Sequence, residues 1–187
     1  MKEEIKKTLE FLEAGKMILY PTDTIWGIGC DATNYTSVEK IFRLKQRVES
    51  KSMIVLLDDA KKLPQYVKEM PEITMDLVNS VDSPLTVIYR GAQGLAKNVI
   101  ASDGTVGIRV TMDEFCRELI RQFGKPIVST SANVSGTIDP IVYSQIPEVI
   151  RNGVDYAVNH HRDRIVKAKA SRIIKLESNG EFTIIRK

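Results

Sequence analysis

Eight short apolar runs limit how this chain can fold. They are "MILY" (17–20), "MIVLL" (53–57), "PLTVIY" (84–89), "TVGIRV" (105–110), "PIVSTSAN" (126–133), "VDYAV" (154–158), "SRIIKL" (171–176) and "FTIIR" (182–186). Each has the length of a strand and is bounded by turn residues, with "PIVSTSAN" running out into a polar loop. Helical periodicity separates only some of them. Ile5, Leu9 and Leu12 precede the first run and stop at Gly15. Val38, Ile41, Phe42 and Leu44 predict a helix over about 37–45, Pro71 opens another through Val78, and Phe115, Leu119 and Phe123 predict one ending at Gly124. Thr36 with Glu39, and Thr111 with Glu114, read as capping boxes. Strands that lack a helical crossover cannot all run parallel, and the last two, joined by "SNG", read as a hairpin. The expectation is an α/β fold, one domain over 1–187, with a twisted, mixed parallel and antiparallel sheet and flanking helices.

Composition excludes several classes. Of 187 residues, 43% are hydrophobic and 27% charged with mixed sign, so the chain can bury a core. A formal charge of +3 is too small to argue for nucleic-acid binding by itself, so any basic patch must be local. Cys30 and Cys116 are far apart and read as buried free thiols; the adjacent His160 and His161 are poorly spaced for two ligands on one element. No run approaches the roughly 20 apolar residues of a membrane span, and no apolar signal segment opens the sequence, so a soluble cytoplasmic protein is expected. The polar, basic segment 159–170 is expected to be a mobile loop.

Three stretches carry groups suited to chemistry. In "KQRVESKS" (45–52), Lys45 could serve the negative end of a helix dipole. If the chain extends there, Lys45 and Arg47 could instead share a side and present an ammonium and a guanidinium to phosphate oxygens. In "YPTDTIWGIGCDA" (20–32), Thr22 and Thr24 flank Asp23 at a strand end, either as ligand groups or as a hydrogen-bonded turn with Gly27 and Gly29 allowing close backbone passage. In "IVSTSANVSG" (127–136), Ser129, Thr130, Ser131 and Asn133 crowd a strand exit, where hydroxyls, an amide and clustered backbone N–H groups suit anionic oxygens. The alternative is a plain strand-to-loop corner. No P-loop, dinucleotide fingerprint or nucleophile elbow occurs, and Ser37 of "SVEK" lies in a helix's first turn without the further motifs of a serine hydrolase.

Taken in order, "YPTDTIWGIGCDA", "KQR", "GIRV" and "STSANVSG" resemble the YrdC-like family of threonylcarbamoyl-AMP synthases, over about residues 5–175. The resemblance implies an α/β sheet around a large, positively lined cavity. It implies formation of threonylcarbamoyl-adenylate and pyrophosphate from L-threonine, bicarbonate or CO2, and ATP. Mg2+ would arrive with ATP, and no protein ligand set for a metal is named by the pattern. Product would pass to a downstream threonylcarbamoyl-transferase complex for tRNA modification, with at most weak or transient tRNA contact. On the family's pattern Lys45 and Arg47 are catalytic and hold phosphate and carboxylate oxygens. Arg109, Ser129, Ser131, Asn133, Ser171 and Arg186 fall to the nucleotide and its phosphates, and Thr22, Thr24, Lys51 and Thr86 to threonine and the carbamate. Val48 stands where the family commonly has Pro, "KSM" (51–53) where it has K-P-L, "SPLT" (83–86) for G-P-L-T, and Thr111 for a Pro. The alternative is a YrdC-like paralog without synthase activity that binds RNA through the same cavity.

Overall fold

The computed structural model describes residues 1–47, 53–163 and 170–187. Nine strands among them form one sheet: β1 (Ile18–Tyr20), β2 (Gly27–Gly29), β3 (Ile54–Leu57), β4 (Leu85–Tyr89), β5 (Val106–Val110), β6 (Ile127–Ser131), β7 (Tyr156–Ala157), β8 (Arg172–Leu176) and β9 (Phe182–Arg186). Their order is β7-β1-β2-β6-β3-β5-β4-β8-β9. The pairs β1–β7, β3–β5 and β4–β8 are parallel and the others antiparallel, so the expected mixed sheet is present. The "SNG" hairpin joins β8 to β9. Five α-helices among the described residues flank the sheet: α1 (Lys2–Glu13), α2 (Tyr35–Leu44), α3 (Thr74–Asn79), α4 (Glu114–Phe123) and α5 (Glu148–Gly153). None of the helices described is long and apolar enough to cross a membrane.

Strand periodicity divides the core in two. Successive side chains of a strand point to opposite faces. Ile18 and Tyr20, Leu56, and Ile127 accordingly pack with Ile5 and Leu12 of α1 and Phe115, Leu119 and Ile120 of α4. Their neighbours Leu19, Val55, Leu57 and Val128 pack on the other face with Val38, Ile41 and Phe42 of α2. Both predicted thiols are buried and free.

The helix starts differ from the expected capping boxes. Asn34, in extended conformation, caps α2 by accepting a hydrogen bond from the Ser37 backbone N–H (3.1 Å), and Glu39 instead pairs with Arg43. Asp113 caps α4 by accepting from the Cys116 N–H (2.9 Å), while Thr111 Oγ1 accepts from the Asp113 N–H. Asn and Asp are at least as good N-caps as Thr, and each here immediately precedes its helix. Pro71 leads only a turn, and α3 proper begins at Thr74. Strand β2 and helix α5 carry no apolar run of their own and were not expected from the sequence. Gly29 of β2 is forced by contact, since a Cβ there would lie 2.6 Å from Val128 O and 2.7 Å from the Tyr20 ring. The predicted strand 154–158 pairs only at Tyr156–Ala157.

Candidate active site

A cavity of about 250 Å³ opens on the same sheet face that α1 and α4 cover further along. Its wall repeats every second residue: Thr86 and Ile88, Thr105, Gly107 and Arg109, Ser129 and Ser131, Ser171 and Ile173. The residues between, such as Val87, Ile108, Val128 and Ile174, belong to the opposite core. The cavity is therefore the part of one sheet face that none of the described helices covers. Its described charged lining is Arg47, Arg109, Arg186 and Asp139. Burial lowers the pKa values of Arg47 and Arg186; for Arg186 the nearby Arg109 adds to the effect and Asp139 opposes it. Three arginines against one carboxylate make the wall suited to anions.

The turn after β1 is ordered by Arg109. Thr22 Oγ1 donates to Ile25 O (2.7 Å) and accepts from the Thr24 N–H (3.0 Å). The hydroxyls of Thr22 and Thr24 lie 2.9 Å apart. With Thr22's only hydrogen committed to a carbonyl, Thr24 must donate to Thr22. Arg109 Nη1 donates to Thr24 Oγ1 (3.1 Å), and its Nη2 lies 3.3 Å from Asp23 Oδ1. Thr24 is left with one acceptor lone pair and no hydrogen, which suits an incoming N–H donor. Arg109, expected on the nucleotide side, joins the threonine turn to the cavity wall. Thr24 lines the cavity, whereas Thr22 lies behind it and supports Thr24.

Lys45 and Arg47 do not point the same way. At the end of α2 the Gln46 N–H reaches Arg43 O and the Arg47 N–H reaches Phe42 O, with Gln46 at φ 51°. This is a Schellman ending with glutamine in the left-handed position that glycine usually fills. It sends Arg47 into the cavity wall and Lys45 beneath the β6 exit loop. Lys45 is only 1% exposed. Its ammonium donates to Ser131 O, to Asn133 O (2.6 Å) and to Asn133 Oδ1 (3.0 Å). Burial, with the charge of Arg47 adding and Asp139 opposing, lowers its pKa to about 8.

Asn133 is equally committed. Its Oδ1 also accepts from Ser131 Oγ (2.7 Å), and its Nδ2 donates to Thr137 O (2.6 Å) and Asp139 Oδ1 (3.1 Å). The loop amides expected to serve an anion are used as well: the N–H groups of Ala132, Asn133 and Ser135 go to Trp26 O, Ser131 O and Lys45 O. Those three amides are committed to backbone carbonyls, and the side chains of this wall add further donors. Lys45 and Asn133 form the framework under the loop, while the side chains of Ser129 and Ser131 follow the two-residue repeat onto the cavity wall and Thr130 lines its edge between them. Across it, Thr86 Oγ1 and Ser171 Oγ are 2.8 Å apart, and Arg186 donates to Ser171 O (3.0 Å) and Oγ (3.3 Å). Lys51 lies outside the described residues, as do 164–169 of the expected mobile loop. At that loop's ends, Ala170 lines the cavity, and the His160 ring sits 5.2 Å from that of Phe115. Sequence reading missed Thr105, Gly107 and Asp139. Thr105 and Gly107 share the two-residue spacing with Arg109, a signal present in "TVGIR"; Asp139 has no such signal.

The fold and site define an α/β protein with an arginine- and hydroxyl-lined cavity on one sheet face. Residues 10–187 match the Sua5_yciO_yrdC family, described as Telomere recombination, and the chain belongs to that family. It is 35% identical over 136 residues to the threonylcarbamoyl-AMP synthase of Pseudoalteromonas translucida, covering 71% of this chain and 72% of that protein. It is 32% identical over 170 residues to the threonylcarbamoyl-AMP synthase of Idiomarina loihiensis, covering 89% and 90%. The crystal structure of P. abyssi Sua5 complexed with L-threonine superposes with a TM-score of 0.88 at 25% identity, over 97% of this chain. The chain spans about half of that protein's length, 53%.

Proposed function

We propose that the chain is an L-threonylcarbamoyladenylate synthase, a nucleotidyltransferase acting on ATP, L-threonine and bicarbonate or CO2 in the cytoplasm. One observation carries the reading: a single cavity holds three arginines beside an acceptor-only threonine hydroxyl, in a chain akin to enzymes named for this product. In this reading the amine of L-threonine adds to CO2 and releases a proton, giving a carbamate. A carbamate oxygen then attacks the α-phosphorus of ATP, and the bond to the β-phosphate bridging oxygen breaks to release pyrophosphate. Both reactants are anions, so the protein's task is to neutralise charge and align them. Arg47, Arg109 and Arg186 supply cationic forks to the carboxylate and phosphates, and Ser129, Ser131, Thr86 and Ser171 supply hydroxyls. The free lone pair of Thr24 takes an N–H of the amino acid. Lys45 and Asn133 hold the β6 loop in place beneath the phosphates. Mg2+ accompanies ATP and offsets the charge of its phosphates. The product would pass to a threonylcarbamoyl-transferase complex.

The test is pyrophosphate release with ATP, Mg2+ and bicarbonate, with and without L-threonine. Release that requires threonine and bicarbonate is expected, with threonylcarbamoyl-adenylate detected by mass. Equal release without threonine would sink the assignment.

A further inference from the structure

Among the described residues that line the cavity, one carboxylate faces the three arginines: Asp139. It lies eight residues beyond Ser131, outside every motif considered above. Its position is fixed, because Asn133 Nδ2 donates to its Oδ1 (3.1 Å) and to Thr137 O (2.6 Å) in the same loop. Asn133 is held in turn by Lys45 and Ser131. Asp139 Oδ2 accepts no hydrogen bond from the described residues and forms no ion pair with them.

A fixed carboxylate on the wall of an anion cavity is electrostatically adverse to a polyphosphate. Its charge repels the phosphates and subtracts from the field of Arg47, Arg109 and Arg186. The arrangement becomes favourable if a divalent cation lies between the two anions. Mg2+ is bound by oxygen, commonly through one or two carboxylates together with substrate phosphates and waters. A carboxylate with one oxygen anchored and the other without a partner among the described residues fits that donor set. We propose that Asp139 is the protein ligand for the divalent cation that enters with ATP, and so makes the cavity prefer the metal–nucleotide complex to free nucleotide. The proposal rests on the ATP-dependent reading above.

A sign change tests it. A non-hydrolysable ATP analogue is titrated into wild type and Asp139→Asn by calorimetry, once with Mg2+ and once with EDTA. Asn keeps the size and an oxygen for the Asn133 contact while removing the charge. The expected result for Asp139→Asn is at least tenfold weaker binding with Mg2+ and severalfold tighter binding in EDTA. Mn2+ titrated into protein plus analogue, followed by electron paramagnetic resonance, should show bound Mn2+ in wild type and much less in the variant. Asp139→Glu, which retains the carboxylate, should recover part of the Mn2+ signal. If both forms of the nucleotide bind Asp139→Asn more tightly, the carboxylate is only a repulsive wall charge and the proposal fails. If both weaken equally with unchanged Mn2+ binding, its role is to hold the loop, and the proposal again fails. Wild type that binds no analogue in either condition would instead overturn the ATP reading, and the metal proposal with it.

Discussion

Lys45→Met separates a supporting ammonium from one that contacts phosphate. The substitution keeps an unbranched, buried chain and removes the charge. Three hydrogen bonds disappear, to Ser131 O, Asn133 O and Asn133 Oδ1. Bonds from a charged donor contribute about 1.5–3 kcal/mol each, so about 5–9 kcal/mol is at stake. Burial offsets part of this: a pKa lowered from 10.5 to about 8 corresponds to roughly 3 kcal/mol of destabilised charge, which methionine relieves. The expected net loss is about 3 kcal/mol at pH 7, or roughly 10 °C in Tm for a chain of this size. The pH dependence gives a second reading with a definite sign. Between about pH 8 and the unfolded value of 10.5, the unfolded chain binds more protons at Lys45 than the folded one, so this residue makes stability rise with pH. The destabilisation is fully present below pH 8 and is relieved as pH approaches 10.5; Lys45→Met should lack this rise. Thermal melts from pH 7 to 10.5, with ATP-analogue titrations at pH 7, provide the assay. A variant as stable as wild type, with no pH difference but with nucleotide binding abolished, would refute the supporting role and make the ammonium a direct phosphate ligand.

Two further outcomes follow from the same geometry. Gln46→Gly should stabilise the protein by up to about 1 kcal/mol in denaturant melts, because an exposed non-glycine residue at φ 51° is strained; a loss of stability would show that the side chain holds the turn. Arg109→Lys should weaken threonine binding about tenfold by calorimetry, since one ammonium cannot reach both Thr24 and Asp23 in the manner of the planar fork, and an unchanged threonine affinity would remove Arg109 from the positioning of Thr24.

Much of the fold was legible because strand and helix periodicities are local. Helices α1, α2 and α4, the β8–β9 hairpin and the mixed sheet all followed from spacing, although the caps at Asn34 and Asp113 were misassigned. β2 escaped because "GIG" is a strand only by virtue of its neighbours: Gly29 fits against Val128 O and Tyr20, a contact that no propensity records. In the site, the motifs supplied stretches that line one cavity, but the sequence did not say which of their atoms face it. Ser131 and Asn133 are two residues apart in one motif, yet Ser131 lines the cavity and Asn133 is committed beneath the loop.

The sequence by itself determined most of the segments that form strands and helices, and the pairing of the last two strands through "SNG". In "TVGIRV" the polar or small residues Thr105, Gly107 and Arg109 fall on every second position, so one face of β5 could not belong to the apolar core. Tertiary structure alone decided what such faces meet. Thr24 meets Arg109, Thr86 meets Ser171 and Lys45 meets Asn133, each across 85 to 88 residues of chain. A left-handed Gln46 turned Lys45 and Arg47 apart, and the loop after Gly136 brought Asp139 back to the wall. Side-chain direction and charge pairing depend on partners distant in sequence, and only the folded sheet brings those partners together.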